Sequence, residues 1–387
     1  MIAFQPEEAQ SALAESVHAF AQRYLHDNAR EVETKRALPP QILQEAVSLG
    51  LTALSLPEAL GGAGLNLVTQ AIAYEALGWG DLGSSQALLG AQTGHHLLAA
   101  LASQTPTQDR LRDLAETSVC WVAPVWGERP QADGSLAWQR NAGGVVLSGE
   151  SAITLGAQHA AHLLVAAGGQ EGMAILAIPS AAAGVHFRPH ALALGMLAAG
   201  VGSVRFEDVR LEEADLLAVG ETAQTAIRQA LTTLAIEQGA LEVGACRAAT
   251  EYTVAYTAQR RAFQQVIAAF QGVSFVAADM AIETEAARNL IWKAAVQGDK
   301  GEDAFSTAAM ALAHAHQAVR FVTSNAVQLL GGHGFVQDHP VEKWMRDAEA
   351  QVLLFGRELE LQSVLGDALW QAGAKDGTAG FRLAENA

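Results

Sequence analysis

Residues 328–361 read QLLGGHGFVQDHPVEKWMRDAEAQVLLFGRELEL, and this stretch decides the fold of the chain. The apolar pair before Gly331 and Gly332 predicts a helix that stops at the two glycines. Pro340 predicts the start of the next helix, because proline is tolerated in the first helical turn. Gly356 follows Phe355 directly, within a hydrophobic helix end. The stretch therefore predicts the last part of a helical domain, with a short glycine-rich connection.

Length and composition favour a multidomain globular protein. The chain has 387 residues, of which 50% are hydrophobic, so it is long enough for two or three domains with sizeable cores. Its net charge of −17 argues against general affinity for nucleic acid or acidic membranes. No apolar run approaches the roughly 20 residues of a membrane helix, and the N-terminus lacks the basic region of a signal peptide. We therefore expect a cytoplasmic protein without a membrane span.

Two cysteines, Cys120 and Cys246, are far apart in the sequence and suggest neither a disulfide framework nor a metal site. We expect both to be buried thiols. The sequence also lacks a serine-hydrolase triad pattern, a His-Glu-x-x-His motif and a phosphate-binding P-loop. Nothing in it favours a hydrolase, a metalloenzyme or a kinase.

Hydrophobic periodicity divides the chain into three parts. Residues 1–117 show helical spacing, and residues 118–217 show short apolar runs separated by turn residues, which predicts a small β-domain. Residues 218–387 return to helical spacing and predict four long helices in an antiparallel bundle. The predicted fold is therefore mainly α, with an N-terminal helical domain, a central β-domain and a C-terminal four-helix bundle.

Four stretches resemble the acyl-CoA dehydrogenase family, and together they span essentially the whole chain. They are the segments LGL, PEALGGAGLN and EAL within 49–77, SGESAITLGAQHAAHLLVA at 148–166, RRAFQQVIAAFQGVSFVAADM at 260–280, and the stretch at 328–361. The resemblance implies non-covalent FAD and an acyl-CoA substrate. It also implies an electron-transfer flavoprotein as electron acceptor and either a homo-oligomer or a heterotetramer with a catalytic paralogue.

The resemblance also assigns residues to FAD. An arginine suits the pyrophosphate, because guanidinium groups make charge-assisted hydrogen bonds to phosphate, and a glutamine suits an adenine edge or a ribose. In the family, the groups after the first bundle helix reach the FAD of a neighbouring subunit, which is why an oligomer is expected. The residues at the matching positions are Thr154, Arg260, Phe263, Gln271, Gln328 and Gly332.

The positions that carry the chemistry depart from the family pattern. The usual catalytic base position is Phe355, and the alternative base position, on the first bundle helix, is Leu234. Neither side chain can accept the α-proton of a thioester. Other substrate-facing and flavin-facing positions have also changed: they are Ala123 and Pro124 in place of a Thr-Glu pair, Ala152 in place of an aromatic residue, Ala235 in place of an arginine, and Gln264 in place of a glycine.

A carboxylate could replace the missing base. Glu237 lies one turn after Leu234, and Glu358 lies one turn after Phe355, so each shares a helix face with a base position. Either glutamate could instead be a surface or interhelical carboxylate. His333, next to the flavin-site glycines, is expected to contact solvent or backbone.

Three functions remain open from the sequence. The first is α,β-desaturation of an acyl-CoA thioester, with a relocated base such as Glu237 or a base from a partner subunit. The second is a non-catalytic subunit that shares FAD within a heteromeric acyl-CoA dehydrogenase. The third is a flavin monooxygenase-like activity, which needs no α-proton abstraction. It ranks last because the stretch at 328–361 follows the dehydrogenase pattern.

Overall fold

The N-terminal part is helical, as its periodicity predicts. The computed structural model describes residues 6–104, 108–122, 136–141, 144–190 and 193–376. Pro40 begins a helix at its first position, and the Asn66 and Asp81 side chains cap two later ones by accepting from Thr69 N and Ser84 N. The helices are α1 Glu8–Phe20, α2 Ala29–Lys35, α3 Pro40–Ser48, α4 Leu67–Gly80, α5 Leu82–Leu89, α6 His95–Ala102 and α7 Gln108–Ala115.

The middle part is an eight-stranded, mostly antiparallel sheet. Its strands are β1 Val119–Val122, β2 Ala137–Asn141, β3 Gly144–Glu150, β4 His162–Gly169, β5 Gly172–Pro179, β6 Val185–Pro189, β7 Gly202–Leu211 and β8 Leu216–Val219. They pair in the order β6-β7-β3-β2-β4-β5-β8, and β1 joins β4 in parallel. Buried residues largely alternate along β7, so one face of this strand packs on a core of its own.

In the C-terminal part, residues 218–376 contain three long helices and two shorter ones. They are α8 Glu221–Gln259, α9 Gln271–Asp299, α10 Phe305–Leu330, α11 Val341–Gln351 and α12 Glu358–Asp376, and a small hairpin of β9 Arg261–Ala262 and β10 Gln265–Val266 joins α8 to α9. The fourth predicted helix begins after Pro340, as predicted, but it is split into α11 and α12 at a turn, residues 352–357. Gly356 has φ +123° in this turn, a conformation that a continuing α-helix excludes. Within the described residues, every helix is too short or too polar to cross a membrane.

One hydrophobic core runs through both helical parts, and α8 lies at its centre against α4 and α10. Two glycines let α4 and α8 approach closely. A Cβ atom at Gly244 would lie 2.1 Å from the Glu75 carbonyl oxygen, and one at Gly78 would lie 2.0 Å from the Leu241 carbonyl oxygen. Only glycine is compatible with this crossing, because the neighbouring atoms belong to the backbone and cannot rotate away.

The glycine crossing makes a testable prediction. We expect Gly244→Ala to destabilise the fold by about 1–3 kcal/mol, because the added methyl group overpacks the contact between α4 and α8. Thermal unfolding measures the effect. Gly366→Ala is the matched control, since a Cβ atom at Gly366 meets nothing within 4 Å, and we expect it to leave stability unchanged or slightly raised. Equal melting temperatures for Gly244→Ala and the wild type would contradict the close approach.

Candidate functional site

The first group of candidate residues lies at the junction of α8 and α9. Arg260, Phe263 and Gln271 are all exposed, and 88% of the Phe263 surface is accessible. Phe263 and Gln264 form the two-residue turn of the β9–β10 hairpin, with φ of 51° and 68°. The Phe263 ring meets Phe270 edge to face at 6.1 Å. An arginine, an aromatic ring and an amide are thus presented together on one surface.

The end of α10 is held next to this junction by two Tyr–His pairs. The hydroxyl of Tyr256 lies 2.9 Å from Nδ1 of His333, and that of Tyr252 lies 2.7 Å from Nδ1 of His339. The two imidazole rings stack with their centroids 5.2 Å apart. His333 is exposed, as expected, but its partner is a tyrosine side chain rather than the backbone. The structure thereby ties the C-terminal half of α8 to the segment that follows α10.

Gln328 and Gly332 lie on either side of the end of α10, and both are exposed. Gly331 has φ +59° and ends the helix, as the glycine pair predicts. A Cβ atom at Gly332 would meet nothing within 4 Å, so the space beside its backbone is open. The amide side chain of Gln328 and the backbone of Gly332 are therefore accessible there to a ligand.

Thr154 lies in the β-domain, where it pairs with Gly202 as an isolated antiparallel bridge. It is 5% exposed, and its hydroxyl lies 4.0 Å from the Cys120 sulfur. Cys120 and Cys246 are both buried free thiols, as expected, and burial raises the pKa of Cys120 to about 11. Ala152 is only partly buried. Ala123 and Pro124 lie outside the described residues.

Both predicted base positions lie in the apolar core. Leu234 is fully buried on α8 and Phe355 is 4% exposed in the turn that follows α11. Ala235, next to Leu234, is also fully buried. Glu358 lies at the start of α12 and accepts a hydrogen bond from Gln317 Nε2 at 2.7 Å. The structure therefore gives Glu358 the role of an interhelical carboxylate.

Glu237 is fully buried between α8, α4 and α6. Its Oε2 lies 2.5 Å from Nε2 of His96, whose Nδ1 lies 2.7 Å from the carbonyl oxygen of Thr93. Burial lowers the pKa of His96, but the Glu237 carboxylate and the hydrogen bonds outweigh it, so the pKa is raised. Burial and the same carboxylate raise the pKa of Tyr74 well above its usual value. Within the described residues, Oε1 of Glu237 makes no hydrogen bond of good geometry, and the buried Tyr74 side chain is a further neighbour of the same carboxylate.

Three buried amides form a cluster that sequence analysis missed, and two of them lie one turn from the predicted base positions. Gln238 is four residues after Leu234, and Gln351 is four residues before Phe355. Nε2 of Gln351 donates to Oε1 of Gln238 at 2.9 Å, and Nε2 of Gln86 donates to Oε1 of both glutamines. Separations of 113 to 265 residues hide this cluster from any local pattern.

A buried lysine joins all three parts of the chain beside this site. Nζ of Lys343 lies 2.7 Å from Oδ1 of Asp81 and 2.6 Å from Oδ2 of Asp347. Asp81 caps α5, and Oδ1 of Asp347 accepts from the backbone N–H of Met196, which belongs to the segment between β6 and β7. Burial opposes the charge of Lys343, but the Asp347 and Asp81 carboxylates outweigh it and raise the lysine pKa.

The family models match at both helical parts of the chain. The model described as "Acyl-CoA dehydrogenase, N-terminal domain" matches residues 7–118, and the one described as "Acyl-CoA dehydrogenase, C-terminal domain" matches residues 224–362. Together they cover more than half of the chain, which therefore belongs to the acyl-CoA dehydrogenase family. The family is one of FAD-dependent oxidoreductases that act on CH–CH bonds.

Two named relatives and one solved structure illustrate the similarity. The mitochondrial short-chain specific acyl-CoA dehydrogenase of Bos taurus is 28% identical, over 94% of this chain and 90% of its own length. The acryloyl-CoA reductase (NADH) of Anaerotignum propionicum is 27% identical, over 88% of this chain and 89% of its own. The structure of butyryl-CoA dehydrogenase from Megasphaera elsdenii is 24% identical and shares the fold, with a TM-score of 0.84 over 95% of this chain and all of that one.

The burial of the Lys343 cluster predicts that removal of its cation lowers the stability of the protein. We expect Lys343→Met to destabilise the protein by about 3–5 kcal/mol, because it leaves two buried carboxylates without their cation. The denaturation midpoint in urea measures the effect. Arg320→Met is the control: Arg320 and Glu349 form an ion pair in which both side chains are 50% exposed, and we expect a loss of at most about 1 kcal/mol. Similar losses for the two variants would show that the buried cluster does not hold the three parts together.

Proposed function

We propose that the chain catalyses α,β-desaturation of an acyl-CoA thioester with FAD as cofactor and Glu237 as the relocated base. The observation that carries this proposal is the position of Glu237. It is a buried carboxylate one turn from the family base position Leu234, and one of its oxygens makes no good hydrogen bond within the described residues. Of the two carboxylates that sequence analysis singled out, it is the one in the helical interior.

More residues are available for the adenine, ribose and pyrophosphate part of FAD than for its flavin ring. Arg260 offers a cation for the pyrophosphate, Gln271 and Gln328 offer amides, and Gly332 leaves room for close approach of a phosphate or ribose. Thr154 offers a hydroxyl for the flavin ring. Ala152 stands where the family has an aromatic residue that packs on this ring. These residues therefore provide several contacts for the adenine, ribose and pyrophosphate part of FAD. They provide fewer contacts for the flavin ring.

The exposure of Arg260 and Phe263 also supports an assembly. Phe263 is 88% exposed and Arg260 is exposed as well, so both side chains are accessible to a ligand or a partner subunit. We infer that these groups reach the FAD of a neighbouring subunit, in a homo-oligomer or in a heterotetramer with a paralogue. An electron-transfer flavoprotein is the proposed electron acceptor.

Each reacting residue has a defined role in the proposed reaction. Bound FAD would supply the acceptor for the hydride of the β-carbon. Oε1 of Glu237 takes the α-proton, and the His96 imidazole holds Oε2 so that Oε1 faces the opposite way. Leu234 and Phe355 are buried apolar side chains, and a reaction site beside them would exclude water and strengthen the electrostatic interactions inside.

A second function is favoured by a separate observation. Both family base positions are apolar and buried, and Glu237 is neutralised by His96. A non-catalytic subunit that shares FAD with an active paralogue would have these features as well. The monooxygenase-like alternative has no comparable support.

The first test concerns the base. We expect Glu237→Gln to slow anaerobic bleaching of the flavin by an acyl-CoA by about 10²–10⁴-fold, the usual contribution of a general base. The variant keeps the size of the side chain and an oxygen for His96. Glu358→Gln is the control and should leave the rate unchanged. Bleaching of Glu237→Gln at the wild-type rate would exclude Glu237, and wild-type protein that is never bleached would favour the non-catalytic subunit.

The second test concerns FAD. We expect Arg260→Ala to weaken FAD binding by about 10–100-fold, because a hydrogen bond to a charged group contributes about 1.5–3 kcal/mol. Retention of FAD during dialysis, followed by flavin absorbance, measures the change. Arg228→Ala, at the other end of the same helix, removes an exposed ion pair with Asp303 and is the matched control. If both variants retain FAD as the wild type does, Arg260 is not a cofactor contact.

A further inference from the structure

A buried histidine of α10 reaches the turn that carries Phe355. His316 is 2% exposed, and its Nδ1 lies 2.9 Å from both carboxylate oxygens of Glu242, which is fully buried on α8. Its Nε2 lies 3.0 Å from the carbonyl oxygen of Gly356. Both ring nitrogens therefore face acceptors, and an imidazole donates from both nitrogens only when it is protonated.

The surroundings favour that charge. Burial lowers the pKa of His316, but the Glu242 carboxylate, the two hydrogen bonds and the more distant Glu358 outweigh it, so the pKa is raised. Cys246, also on α8, is close enough to Glu242 for the carboxylate to raise its thiol pKa further, so the thiol stays neutral. An imidazolium paired with a carboxylate is thus the stable state of this site.

The rest of the turn is anchored at its two ends. The backbone N–H of Leu354 donates to the Gln351 carbonyl at 3.0 Å, which continues the last turn of α11. The backbone N–H of Arg357 donates to the Glu360 carboxylate at 3.1 Å, which caps α12. Between these ends, the bond from His316 ties the main chain to α10. Gly356 has φ +123°, so the chain changes direction at the residue whose carbonyl is held.

We propose that His316 is a positioning residue. As an imidazolium held by Glu242, it fixes the Gly356 carbonyl. It thereby places Phe355 and the turn 352–357 against the reaction site. Phe355 directly precedes Gly356, so a shift of this carbonyl moves the phenyl ring. The placement of the turn stands independently, while its effect on the reaction rests on the proposed function.

Because the His316 ring must be charged to make both hydrogen bonds, the stability of the turn 352–357 depends on pH. The pKa of His316 is raised in the folded protein above its ordinary value of 6.5. The stabilisation is therefore complete below pH 6.5 and is lost as the pH rises through the raised pKa. The turn should be most protected in mildly acidic solution and should loosen in alkaline solution.

Amide hydrogen exchange of the FAD-loaded protein tests this. We expect His316→Gln to lower the protection factors of residues 352–357 by about tenfold, the effect of one lost buried hydrogen bond. His314→Gln is the matched control: His314 lies on the same helix, is 28% exposed and faces Glu283 at 3.4 Å, and it should change nothing in the turn. Unchanged protection in His316→Gln would overturn the proposal.

A double variant distinguishes loss of the His316 hydrogen bond from general destabilisation of the protein. His316→Gln alone leaves Glu242 buried without a cation, so we pair it with Glu242→Gln, which removes both charges together. The double variant should lose the pH dependence of protection at 352–357 that the wild type shows, a readout that a purely structural role would not change. Persistence of the wild-type pH dependence in the double variant would overturn the proposal.

The kinetic readout separates this inference from the proposed function. If the wild type is bleached by an acyl-CoA, His316→Gln should lower the rate constant of flavin reduction more than it weakens substrate binding. Wild-type protein that is not bleached would count against the desaturase, while loss of protection at 352–357 would still support the role of His316.

Discussion

The Lys343 ammonium group is the point at which the three parts of the chain meet. It binds Asp81 at the start of α5 and Asp347 one turn further along α11, and Asp347 in turn holds the backbone of Met196 between β6 and β7. Met196 has φ +56°, which an L-residue adopts only when its surroundings enforce it. Because each charge is buried, removal of one partner leaves the others unsatisfied, so helices and sheet are fixed relative to one another.

Buried pairs of opposite charge also occur along α8. Glu237 faces His96 of α6, and Glu242 faces His316 of α10, so this one helix carries two buried carboxylate–imidazole pairs on its way through the core. Glu75 of α4 is likewise held by Arg247 and Arg288. The helix thus connects the N-terminal part to the turn after α11 through charges as well as through apolar contacts. Glu237 of the first pair lies one turn from Leu234, and His316 of the second pair contacts the carbonyl oxygen of Gly356, the residue after Phe355.

Much of the fold could be predicted because hydrophobic periodicity is local. The long helices α8, α9 and α10 follow from the helical spacing of apolar residues, and the strands follow from short apolar runs. The break at 352–357 was missed because apolar residues continue through it, and only φ at Gly356 shows the change of direction. The assignments of Arg260, Phe263 and Gln328 to FAD depended on family spacing. The structure adds that they are exposed and that Tyr–His pairs join the two segments.

The sequence by itself determined the family and the order of helices and strands, and it predicts that Phe355 and Leu234 occupy the two base positions. These properties depend on residue identity and on spacing along the chain. Only the tertiary structure decided which polar residues meet: His96 lies 141 residues from Glu237, and His316 lies 74 residues from Glu242. Periodicity shows which face of a helix is buried but not what lies opposite, so the role of a buried carboxylate depends on a partner that only the fold supplies.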